Sequence, residues 1–113
     1  MDPILIKKLN TFVADRDWDQ FHTPKNLALA LVGEVGELVE NFQWLTDQQI
    51  LNVEIDKKDK IADEIADVFL YLILLSKKLG LDLEEEGLKK IIKNAEKYPV
   101  KLVKGDSRKY TDY

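Results

Sequence analysis

The sequence predicts an all-α fold, a four-helix bundle, and three observations carry that expectation. Apolar residues recur at helical spacing, capping residues punctuate the pattern at intervals, and no stretch alternates apolar with polar as a strand would. The 113 residues suit one domain, 1–113, because no Pro/Gly/Ser-rich stretch divides them.

Asp2 and Pro3 read as N-cap and first position of a helix, with Ile4, Leu5, Leu9, Phe12 and Val13 on its apolar side and an end near Arg16. The segment from Asp15 to Phe21 breaks the period and sets Trp18 and Phe21 among charges. Thr23 and Pro24 repeat the cap and open a second helix to about Trp44, nearly apolar all round from Leu27 to Val32 and therefore expected to be central. Thr46 and Asp47 cap a short helical turn through Val53, and Glu54 to Lys58 reads as a polar connection. A third helix spans about Asp59 to Leu79, holds the apolar block Val68 to Leu75, and closes on Gly80 as a left-handed cap. Asp82 opens the last helix, with Glu84, Glu85 and Glu86 favourable to its dipole, and Pro99 ends it after Tyr98. The remaining residues, about 100–113, read as a polar extended arm. Two long, very apolar helices cannot be covered by two shorter ones alone, so completion of the bundle by a homo-oligomer is expected, a tetramer in preference to a dimer.

Composition narrows the function. Hydrophobic residues at 45% and charged residues at 34% describe a globular chain, and the lack of cysteine excludes disulfides, thiolate metal sites and a thiol nucleophile. Met-Asp-Pro followed by an amphipathic segment with Lys7 and Lys8 is unlike a signal peptide, and Val68 to Leu75 is far shorter than the roughly 20 residues that span a bilayer. A cytoplasmic protein without membrane contact is expected. The net charge of -4 gives no general attraction to a nucleic acid polymer, and a small polyanion would need a cation to mediate contact. Positive charge gathers late in the chain, at Lys89, Lys90, Lys93, Lys97, Lys101, Lys104, Arg108 and Lys109.

The most informative pattern is Glu34-Val35-Gly36-Glu37 in the second helix set against Glu64-Ile65-Ala66-Asp67 in the third. Residues three apart lie on one helix face, so each pair presents two carboxylates one turn apart, and an antiparallel arrangement sets the pairs opposite each other. Glu34, Glu37, Asn41 and Trp44 continue one stripe; Lys60, Glu64, Asp67 and Tyr71 continue the other. Four gathered carboxylates repel and raise one another's pKa unless a cation neutralises them. The donors are all oxygen, which points to Mg²⁺, with Mn²⁺ as substitute, rather than Zn²⁺. A solvated acidic face is the plainer alternative for one such pair; two pairs on the two most apolar helices favour a site. Gly33 and Gly36 imply close approach there, either of a metal and phosphate or of another helix, because each helical glycine costs roughly 1 kcal/mol relative to alanine.

With their neighbours, these residues resemble the MazG-like all-α nucleotide pyrophosphohydrolases, whose signature is Glu-x-x-Glu followed after a gap by Glu-x-x-Asp. The stretch RDWDQFHTPKNLALALVGEVGELVENFQW, Arg16 to Trp44, looks like the dCTP pyrophosphatase branch, and DEIADVFLYLILL with KNAEKYP extends the likeness. It covers about 9–99, the core of the domain. The resemblance implies dimers or tetramers, Mg²⁺ on Glu34, Glu37, Glu64 and Asp67, and Glu34 or Glu37 directing water to the α-phosphorus of a nucleoside triphosphate, (d)NTP, dCTP or a related dNTP. The products would be (d)NMP and pyrophosphate, in nucleotide-pool house-cleaning. It further implies a base pocket of Trp18, His22 and Trp44, Tyr71 toward substrate, and Lys93, Asn94, Lys97 and Tyr98 near the phosphates. Lys25 stands where that branch often has Arg, which leaves its phosphate role open. Two other readings remain: a dUTPase or phosphoribosyl-ATP pyrophosphatase activity, and a non-catalytic helical regulatory or dimerisation module.

Overall fold

The computed structural model describes residues 1–52, 54–107 and 111, and every regular element among them is helical. The chain divides into two compact units, Met1–Leu81 and Asp82–Tyr113.

In the first unit, α1 (Pro3–Asp15) starts as its caps dictate, with Asp2 accepting from the Ile4 N–H at 2.8 Å. Its end is a Schellman turn. The Asp17 N–H donates to Ala14 O and the Trp18 N–H to Val13 O, both at 3.1 Å, while Asp17 takes the left-handed backbone, φ 53°, that glycine usually supplies. Gln20 Nε2 donates to Asp17 O at 3.0 Å and to its carboxylate at 2.9 Å, steadying the turn. A single 3-10 turn, Asp19–Phe21, leads to α2 (Pro24–Glu40), capped by Thr23.

α2 stops at Glu40, short of the expected Trp44. The N–H of Asn41 turns to Leu38 O and Val39 O, and Phe42 donates to Val39 O at 2.9 Å, a tightening that ends the helix and leaves Trp44 on a turn. Thr46 and Gln49 form a reciprocal capping box on α3 (Asp47–Leu51); the predicted limit of this turn, Val53, lies outside the described residues. α4 (Ile55–Lys78) begins within the segment read as a connection. Nothing in Glu54 to Lys58 breaks a helix: the run has neither Pro nor Gly, and polarity alone does not stop helical hydrogen bonding. Gly80, φ 68°, closes α4 as predicted, with Gly80 donating to Lys77 O and Leu81 to Ser76 O.

Leu9 and Val13 of α1, Leu27 of α2 and Ile73 of α4 are the buried apolar residues, and α2 packs along α4. The prediction that α2 is central holds for one side only: Leu27 is 1% exposed, while Leu29 and Val32 are 62% and 69% exposed. Among the described residues nothing covers that outer face. No helix is long and apolar enough to cross a membrane.

The second unit consists of α5 (Leu83–Lys97) and α6 (Val100–Val103). Asp82 accepts from the Glu85 N–H at 3.0 Å, and Lys89 pairs with Glu85 and Glu86. The short α6 replaces the first part of the expected extended arm; Pro99 stands just before it as the N-cap, and its carbonyl accepts from the Leu102 and Val103 N–H groups. Arg108 and Lys109 of the basic cluster lie outside the described residues.

Candidate active site

Glu34 and Glu37 lie on α2 one turn apart, and Glu64 and Asp67 likewise on α4. Glu34, Glu37 and Glu64 each offer a carboxylate oxygen, all within 4.8 Å of one another. Asp67 falls outside that tight group, yet raises the proton affinity of both Glu34 and Glu64. The helix pair is antiparallel, since Glu34 shares a cavity with Asp67 and Tyr71, while Glu37 and Asn41 share another with Glu64 and Lys60.

Two chambers of opposite character flank the acids. The first, about 420 Å³, is lined by apolar residues of α1 and α4, by Trp18 and His22, and by Glu34 and Asp67. Phe12 meets Trp18 edge to face, centroids 5.6 Å apart, and the Arg16 guanidinium covers the outer face of Phe12 at 3.7 Å. The second chamber, about 400 Å³, is polar and is lined by Glu37, Glu40, Asn41, Lys57, Lys60 and Glu64.

The electrostatics record the crowding. Partial burial raises the Glu34 carboxyl above its ordinary value, and Glu37 and Asp67 push it the same way; burial, then Glu37, does so for Glu64. One oxygen of each, Glu34 Oε2 and Glu64 Oε2, is buried without a hydrogen-bond partner. Orphaned acceptors, hard oxygen donors and three carboxylates in a small volume fit a divalent cation. Gly33 and Gly36 are not packing glycines within this chain, because a Cβ at either would meet nothing within 4 Å.

The remaining predicted positions divide clearly. Trp18, His22 and Tyr71 come together in the apolar chamber, where His22 Nδ1 is buried and unpartnered. Trp44 does not join them: it sits on the turn after α2 and is 85% exposed. Asn41 lines the polar chamber, and its side chain donates to Glu37 O at 3.1 Å. Lys25 is exposed on the first turn of α2 and lines neither chamber. Lys93, Asn94, Lys97 and Tyr98 belong to the second unit, where Tyr98 ends α5 with its N–H on Asn94 O.

Sequence reasoning missed Lys8 and Phe12 on the apolar chamber, and Lys57 on the polar one. Lys57, Lys60, Glu64, Asp67 and Tyr71 follow steps of three and four along one helix face. Reading Glu54 to Lys58 as a connection severed Lys57 from that series.

The profile of the MazG-like family matches residues 30–113, a span that takes in all four acids, the later part of α2 and the whole of α4. The chain belongs to the MazG-like family. Among curated relatives, dCTP pyrophosphatase 1 of Mus musculus and that of Homo sapiens are each 44% identical to it over 110 residues, 95% of this chain. The chain spans about 65% of the length of those relatives. A crystal structure of a pyrophosphatase from Archaeoglobus fulgidus superposes with a TM-score of 0.79 at 38% identity, covering 84% of this chain and 89% of that one. The all-α fold is thus that of a MazG-like pyrophosphatase.

Proposed function

We propose that this MazG-like protein is a nucleoside triphosphate pyrophosphohydrolase acting on deoxynucleotides, dCTP or a close relative, and that it releases the monophosphate and pyrophosphate. The observation that carries the reading is the carboxylate cluster of Glu34, Glu37 and Glu64 beside a chamber walled by Trp18, His22 and Tyr71. Its kinship with dCTP pyrophosphatase 1 supports the choice of base.

Glu34, Glu37, Glu64 and Asp67 would hold Mg²⁺, or Mn²⁺ in its place, which supplies charge neutralisation for the phosphates and the leaving group. Trp18 offers an indole face against which a base stacks, and His22, whose buried Nδ1 has no hydrogen-bond partner, lines the same chamber. Glu37, more exposed than Glu34, orients a water toward the α-phosphorus and takes its proton. A new O–P bond forms at the α-phosphorus, the bond from that phosphorus to the α–β bridging oxygen breaks, and the electron pair leaves with pyrophosphate. Lys93, Asn94, Lys97 and Tyr98 are candidates for phosphate contacts from α5, and Lys25 for one from α2, since lysine meets a phosphate as a compact charge. The exposed apolar face of α2, with Trp44 nearby, supports a homo-oligomer, a tetramer in preference to a dimer.

The test is hydrolysis of a panel of ribo- and deoxynucleoside triphosphates with Mg²⁺ in ¹⁸O-labelled water. Pyrophosphate as product, label in the monophosphate and preference for a cytosine base are expected. Orthophosphate as the main product, or label in pyrophosphate, rejects the assigned bond; preference for dUTP or phosphoribosyl-ATP replaces the substrate.

A further inference from the structure

The polar chamber shares Glu37 and Glu64 with the carboxylate cluster, yet its two lysines have no part in the site as described so far. It opens at the end of the acidic row away from Trp18: Glu34 and Asp67 line the aromatic chamber, whereas Glu37 and Glu64 line the polar one. A bond cleaved at the acids has the nucleoside on one side and the departing phosphates on the other, and among the described residues the cationic side chains lining the polar chamber are Lys57 and Lys60.

Both lysines are in odd company for a structural role. They occupy the first two turns of α4, where the helix dipole disfavours positive charge. Among the described residues neither enters an ion pair, although Glu37, Glu40 and Glu64 line the same chamber. Spaced three apart, they share one helix face with Glu64, so two ammonium groups and the acids border a single space of about 400 Å³.

We infer that Lys57 and Lys60 form the subsite for the leaving pyrophosphate, holding the β- and γ-phosphates of the substrate on the far side of the carboxylates from the base. The assignment rests on the pyrophosphohydrolase reading above. Two point charges on a polyanion complement the bound cation, which alone cannot offset the three glutamates lining the chamber and the phosphates together.

The discriminating measurement is product inhibition of the Mg²⁺-loaded full chain by inorganic pyrophosphate and, separately, by dCMP. Taking each lysine–phosphate contact as a partly solvated ion pair, the double variant Lys57→Gln/Lys60→Gln should bind pyrophosphate about tenfold more weakly or worse. Inhibition by dCMP should change by less than about twofold, since dCMP reaches only the aromatic chamber and the acids. The double replacement by arginine, which keeps the charges, should restore pyrophosphate binding. If the glutamine double variant melts early, the two single variants carry the same comparison. Unchanged pyrophosphate inhibition, or equal weakening toward both products, overturns the assignment. A wild-type chain that releases no pyrophosphate from any triphosphate would instead remove the proposed function itself.

Discussion

Glu37 on α2 and Glu64 on α4 hold carboxylate oxygens within 4.8 Å of each other across the helix pair, an approach of like groups that costs stability unless a cation or a shared proton stands between them. Burial first, and then this approach, raises the proton affinity of Glu64, so the cost is built into the folded chain.

Replacing Glu37 by Gln keeps shape and removes charge. Pyrophosphate release from dCTP at saturating Mg²⁺ should fall by roughly 10²–10⁴-fold, the span expected for loss of a group that handles the attacking water's proton. Steady-state kinetics checks this, and full activity would take Glu37 out of the site.

The pH dependence of the metal-free chain has a definite sign. Folding raises the Glu34 carboxyl above its ordinary value of 4.5, so the folded state favours the protonated form. The stability this group contributes is present below that value and is lost as pH rises through the raised one. Thermal melts without metal should therefore show wild type losing ground to Glu34→Gln as pH climbs from the ordinary carboxylate range toward neutrality. Adding Mg²⁺ at neutral pH should stabilise wild type and leave Glu34→Gln much less changed.

Trp18 is 44% exposed at the rim of the aromatic chamber. If a base stacks there, Trp18→Ala loses about 1–3 kcal/mol of binding, a rise in KM of roughly 5- to 150-fold. Activity as a function of dCTP concentration measures it, and an unchanged KM places the base elsewhere.

Leu27, at 1% exposure the most deeply buried side chain of the first unit, sits on α2 two turns before Glu34. Truncation to Ala should lower unfolding free energy by about 2–5 kcal/mol, measured by denaturant titration.

Helix identity was written in capping residues. Asp2, Thr23, Thr46 and Asp82 each accept the backbone hydrogen bond their position promised, and Gly80 closes α4 with the backbone only glycine adopts freely. The acid pairs were equally legible, because a spacing of three on two helices leaves few ways for them to face. What escaped depended on tertiary context. The end of α2 at Glu40 is marked by no Pro or Gly and is set by how Asn41 and Phe42 redirect their N–H groups. Helical spacing placed Trp44 on the acidic stripe, and with α2 over at Glu40 that stripe no longer reaches it; its place in a base pocket came from the family resemblance alone. Lys8 and Phe12 were invisible as site residues because nothing local says which face of α1 lies over the acids.

Trp18 owes its place to the turn at the end of α1, where Asp17 adopts a left-handed backbone, whereas the acids are placed by α2 and α4. Under the proposed function, the wall offered to the base and the carboxylates assigned to the phosphate chain thus hang on different parts of the scaffold. On that reading, changes between Asp15 and Phe21 would reshape what the chamber accepts while leaving the carboxylates in place, so altered nucleotide preference is expected from a handful of loop substitutions.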